Sequence, residues 1–182
     1  MKSIKKIAII IIGNWNTKIF TPAWMMSELL VLNENEEIKV GFSNNDLRPI
    51  YNYKKIDFIP TERAFEIRIE EISDETLSIA NKATLKLINT LPFTPNMLVG
   101  YNYSVDETFD VSNVIIPKFS DTFSLNEIKL TKKEEGYELN VILNAIDLNT
   151  TNYNFHYTTL SYITENTVFE HISYLKAQWE QI

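Results

Sequence analysis

The run Ile7-Ala8-Ile9-Ile10-Ile11-Ile12 constrains this chain more than any other feature. β-Branched side chains are stiff at χ1 and favour extended backbone. A continuous apolar stretch without polar alternation reads as a strand covered on both faces. Lys2, Lys5 and Lys6 precede the run, in the manner of a signal peptide. A secretory hydrophobic region, however, needs about 7–15 apolar residues, and a membrane span about 20. Gly13-Asn14-Trp15-Asn16 follows with no small-x-small cleavage site. The expectation is a buried strand over 4–12 in a protein without a membrane partner.

The segments that follow alternate between helix and strand signals. Thr21-Pro22 reads as an N-cap with proline at the first helical position, opening a short helix over 23–32. Ile38, Val40 and Phe42 alternate with polar residues, Asn44-Asn45-Asp46 marks a turn, and strand pieces follow at 50–53 and 56–59. Phe65 to Glu70 has strict period two, half buried and half wet. Ser73 caps a helix over 74–90, with Asp74 and Glu75 where the dipole favours negative charge; Pro92 ends it. A strand returns at 97–103. Leu125 to Thr131 and Tyr137 to Ala145 flank Lys132-Lys133-Glu134-Glu135-Gly136, a hairpin signal, and a third strand carries Tyr153, Phe155 and Tyr157. The last helix starts at Thr164, with Ile163 and Val168 as a hydrophobic staple and an apolar stripe through Ile172, Leu175, Trp179 and Ile182.

This order implies an α+β fold of two sheet-and-helix halves, with mostly antiparallel strands and helices packed on one face. The halves are an N-terminal α+β unit at 1–105 and a three-stranded sheet plus helix at 122–182, joined by a linker at 106–121. The chain's 182 residues suit one domain or two small packed halves.

The inventory of reactive residues is sparse. There is no cysteine, which removes disulfides, thiol nucleophiles and thiolate metal sites and fits a reducing, cytoplasmic setting. The four glycines, at 13, 41, 100 and 136, are too scattered for a phosphate-cradling loop, and no Gly-x-Ser-x-Gly elbow exists. The two histidines, His156 on the polar face of a strand and His171 on the last helix, lack a second ligand at metal spacing. Asp106, Glu107 and Asp110 form the densest acidic cluster, without the pattern of a calcium loop. Glu34, Glu36 and Glu37 read as solvation of a helix end. The expectation is no catalytic residue set, no metal and no cofactor. A net charge of −7 with no basic block longer than two lysines disfavours nucleic acid. Gly100, within a strand, marks a bulge or a close backbone contact.

Aromatics are the one enrichment. Tyr51, Tyr53, Tyr101, Tyr103, Tyr153 and Tyr157 all fall in expected strands. They read as half-buried sheet residues or as an interaction patch, since tyrosine is favoured at interfaces. Thr21-Pro22-Ala23-Trp24, and Leu91-Pro92-Phe93-Thr94-Pro95 with Gly100-Tyr101-Asn102-Tyr103, resemble a group of uncharacterised bacterial proteins with an early Pro-x-Trp helix and a later Leu-Pro-x-Thr-Pro…Gly-x-Asn segment. The resemblance covers about the first 105 residues and implies a bacterial source and a shared fold, with no activity or site residues. Two functions stay open. The first is a non-catalytic interaction or adaptor protein with a protein partner or itself, a homo-oligomer resting on the β edge near Tyr153 and the terminal helix. The alternative is an enzyme or small-ligand binder whose carboxylates, tyrosines and one histidine are assembled by folding.

Overall fold

A computed structural model describes residues 3–43, 47–106, 127–144 and 150–180. Its strands are β1 (Ser3–Ile12), β2 (Lys39–Phe42), β3 (Pro49–Tyr53), β4 (Ile56–Pro60), β5 (Ala64–Ile69), β6 (Leu98–Asp106), β7 (Glu127–Glu134), β8 (Tyr137–Asn144) and β9 (Thr150–Tyr157). They form one nine-stranded sheet in the order β2-β3-β4-β5-β1-β6-β9-β8-β7, and every pairing is antiparallel. The helices are α1 (Pro22–Trp24), which runs on into a wider π-type turn at Met25–Leu29, α2 (Asp74–Thr90) and α3 (Thr167–Glu180).

The fold is thus mixed α+β and mostly sheet. The two expected halves share one sheet: β6 pairs with β9 from Val99–Tyr157 to Asp106–Thr150. The physical reason lies in β1. It sits mid-sheet, flanked by β5 and by β6, and β6 in turn pairs with β9. The expected cover on both faces is absent, since Ile7, Ile9 and Ile11 are buried while Ala8 and Ile10 on the other face are half-buried and Ile12 is exposed. Residues 107–121 of the expected linker lie outside the described residues.

Local signals explain the helices. The Thr21 hydroxyl accepts from the Trp24 N–H at 3.2 Å, with Pro22 at the first position. Ser73 and Thr76 form a reciprocal capping box at the start of α2. Ile163 and Val168 are both buried, but α3 opens at Thr167 and not directly after the expected Thr164 cap, whose hydroxyl instead accepts from the Asn166 N–H in the turn ahead of the helix. The β7–β8 hairpin is tighter than its sequence suggested. Lys132 and Lys133 extend β7, and the turn is Glu135-Gly136, with Gly136 at φ 83°. Glycine takes that left-handed conformation without a Cβ penalty.

Among the described residues no helix is long and apolar enough to cross a membrane.

Candidate interaction surface

Register divides the sheet into two chemically different faces. Ile7, Ile9 and Ile11 share a face with Ile69, Ile67 and Phe65 of β5 and with Tyr103, Tyr101 and Val99 of β6. The same face continues through Tyr157 and Phe155 on β9 and Leu139 on β8. All of these are buried. The six strand tyrosines lie on this face, and five of them are buried, with Tyr153 half-buried. They build the core, so the aromatic enrichment supplies no exposed tyrosine patch.

His171 of α3 is also buried here, 4% exposed. Its ring stacks on Phe155 at 3.8 Å between centroids and an interplanar angle of 11°. Nδ1 lies 2.9 Å from the Tyr103 hydroxyl and Nε2 2.8 Å from that of Tyr157. Burial pushes the imidazole pKa down to about 3, and a neutral ring has one N–H and one lone pair. One tyrosine therefore donates and the other accepts. The accepting hydroxyl must still place its own proton, which favours Tyr157, the less deeply buried of the two. Tyr103 then donates to Nδ1, and Nε2–H donates to Tyr157. Burial holds both hydroxyls well above the ordinary tyrosine range. Beside this chain, Tyr101 donates to Asn81 Oδ1 at 3.3 Å, and Asn81 Nδ2 donates to the Thr164 carbonyl at 2.8 Å. This network welds α2 and α3 to β6 and β9.

The opposite face is mixed, with Ile10, Ile12 and Ile59 among polar side chains. One row of paired residues crosses every strand: Lys39, Asn52, Asp57, Arg68, Ala8, Asn102, Asn154, Asn140 and Thr131. Many of its groups are satisfied locally. Asn52 donates to Asp57 at 2.8 Å and Thr131 to Asn140 at 2.7 Å. Arg68 makes a forked pair with Glu66 of its own strand, at 2.6 and 2.8 Å. His156 lies on this face opposite Glu138 and Gly100. A Cβ on Gly100 would stand 3.1 Å from the His156 ring, so the expected close contact is present, while the bulge falls at Ile4–Lys6. His156 and His171 are thus on opposite faces and share no site.

Asp106 forms a surface ion pair with Lys5 at 2.9 Å; Glu107 and Asp110 lie outside the described residues. Among the described residues, no three or more His, Asp or Glu side chains gather as a metal would need. Glu36 does more than solvate a helix end: it accepts from Tyr53 and from both the backbone and side-chain nitrogens of Asn33.

The two outer strands differ. β7 carries Lys129, Lys132 and Lys133, the charged blunting that protects edges. β2 has only Lys39, beside Val40 at 42% and Phe42 at 63% exposure. Its outward groups follow from hairpin parity. Ser43 N–H donates to the Arg48 carbonyl at 2.9 Å, one step beyond the Phe42–Pro49 pair. Bonded and non-bonded pairs alternate in an antiparallel ladder. Gly41–Ile50 and Lys39–Asn52 therefore exchange bonds, and Val40–Tyr51 and Phe42–Pro49 do not, which suits proline's missing N–H. The N–H and C=O groups of Val40 and Phe42 point out from the sheet. β9, whose edge grounded the expected oligomer, is flanked by β6 and β8. The sequence alternation of Ile38, Val40 and Phe42 signalled a strand; its place at the end of the sheet was not readable.

No protein-family model, curated protein or solved structure matches this chain.

Proposed function

We propose that the chain is a non-catalytic assembly protein that pairs with a second copy of itself along β2, merging two sheets. The observation that carries this reading is the unguarded β2 edge, whose pattern is the same in both directions about Val40. A two-fold axis on Val40 sets Val40 against Val40 and Ile38 against Phe42 of the second copy. The backbone groups of Val40 and Phe42 point outward, and Ile38, one residue before β2, would continue that parity on pairing, so each pair exchanges both of its N–H···O bonds. On one face the three pairs are apolar. On the other, Lys39 faces Gly41 and never itself, which avoids like charges in opposition. An axis on Lys39 would oppose two lysines, and one on Gly41 would match fewer apolar pairs. An isologous contact of this kind closes as a dimer.

The cysteine-free chain makes the register directly testable. Lys39 and Gly41 of the partner would form a non-hydrogen-bonded pair, with Cα atoms about 4.5 Å apart, within reach of a disulfide. A Cβ at Gly41 meets no atom within 4 Å. An equimolar mixture of Lys39→Cys and Gly41→Cys chains should oxidise to a mixed dimer, and neither chain alone should do so. Absence of the mixed dimer, or equal cross-linking of Lys39→Cys alone, overturns the proposal.

A further inference from the structure

We propose that the cleft between the Met25–Leu29 turn, the β3–β4 hairpin and α2 binds a small amphiphilic carboxylate, with its head on Ser78 and Lys82 and its tail against Leu29, Leu32 and Ile79.

The cleft has a volume of about 310 Å³, at the lower end of small-ligand sites. Its walls are fixed by unusual backbone. The Leu30 N–H reaches back to the Met25 carbonyl at 3.0 Å, the wide spacing of a π turn, a feature frequent at functional sites. Val31, just beyond, has φ 51°, costly for a β-branched residue. Across the cleft, Lys54 and Lys55 form the hairpin turn at φ 47° and 64°, where Asn-Gly is usual. Strained positions of this kind concentrate at ligand clamps.

One polar wall is internally satisfied. Tyr53 donates to Glu36, and Lys54 Nζ stands 2.6 Å from Glu75 and 3.9 Å from Glu36. The Tyr53 hydroxyl, the Asn33 backbone N–H and the Lys54 ammonium hold the Glu36 carboxyl below its usual range. Both carboxylates are therefore already engaged, Glu36 by Tyr53 and Asn33 and Glu75 by Lys54. On α2, Ser78 and Lys82 stand one turn apart on the face that also carries Glu75 and Ile79. Neither Ser78 nor Lys82 makes a side-chain hydrogen bond or ion pair among the described residues. One ammonium is thus left uncompensated beside a hydroxyl donor, next to an apolar wall. A single negative charge completes this arrangement. A dianionic phosphate would also face Glu36 and Glu75, and an amine would face Lys82.

The test is an amide NMR titration of the whole chain with sodium octanoate, with hexyl phosphate and octylamine as comparisons. Octanoate should give saturable shifts in 29–32 and 75–83, tighter than either comparison. Loss of a charge-assisted contact predicts that Lys82→Ala weakens octanoate at least about tenfold, while Lys82→Arg keeps most of the affinity. Lys82 is exposed, so the rest of the variant's spectrum should match the parent and report an intact fold. No saturable shift in the cleft, equal binding of octylamine, or unchanged affinity in Lys82→Ala overturns the proposal.

Discussion

Acid should destabilise this protein through His171 well before carboxylates protonate. The folded-state pKa is about 3 because the ring is buried, against about 6.5 in an unfolded chain. The unfolded state therefore binds a proton that the folded state refuses, and stability falls as pH drops from about 6.5 towards 3. Between pH 7 and 5 the linkage amounts to about 2 kcal/mol, from 1.36 kcal/mol per unit of pKa difference. His171→Gln removes the titration. It also loosens two tyrosine hydroxyls, so its stability at pH 7 should be lower by about 2–3 kcal/mol. The informative quantity is the slope. Urea denaturation from pH 7 to pH 5 should show parental stability falling about 2 kcal/mol further than that of the variant. Equal slopes would refute the argument, because a ring that accepts a proton in the folded state is not buried as described.

Three further substitutions probe the frame. Asn81→Ala removes a fully buried side chain that accepts from Tyr101 and donates to Thr164, and chemical denaturation should show a loss of about 2–4 kcal/mol. Gly136→Ala forces a side chain onto φ 83° and to 2.5 Å from the Tyr162 Cγ, the root of a ring whose hydroxyl is held by Glu135; thermal unfolding should report a cost of at least about 2 kcal/mol, the left-handed penalty plus the displacement of that ring. Lys55→Gly relieves a residue at φ 64° while leaving the Lys54–Glu75 pair in place. It should stabilise by about 0.5–1 kcal/mol, the αL penalty less glycine's extra chain entropy.

The elements were more legible in the sequence than their arrangement. Ser73 with Asp74 and Glu75, and Thr21-Pro22, are local signals, and α1 and α2 start where that capping chemistry implies, whereas α3 opens at Thr167, three residues past the expected Thr164 cap. Strand partners are set by long-range register, which carries no local signature. Thus β6 and β9 read as members of separate halves, although their alternating tyrosines match across one ladder. The last helix shows the same limit. His171 sits on the apolar stripe of α3 at a spacing that could equally be surface, and only the approach of Tyr103 and Tyr157 from two strands makes it a buried hydrogen-bond centre. The cleft was obscured for a related reason. Glu36 reads as helix-end solvation because nothing local shows that Tyr53 and Lys54 fold back onto it.

Self-pairing along β2 is most directly tested by the solution mass of the parent chain and of Val40→Pro. The Val40 N–H points away from β3, so proline there leaves the intrachain ladder intact and removes donors only from the outer edge. Light scattering at tens of micromolar should give a parent species at twice the 21.2 kDa chain mass and a Val40→Pro species at the single-chain mass, with matching circular dichroism. A single-chain mass for both proteins, or a dimer that survives the proline, would contradict the account.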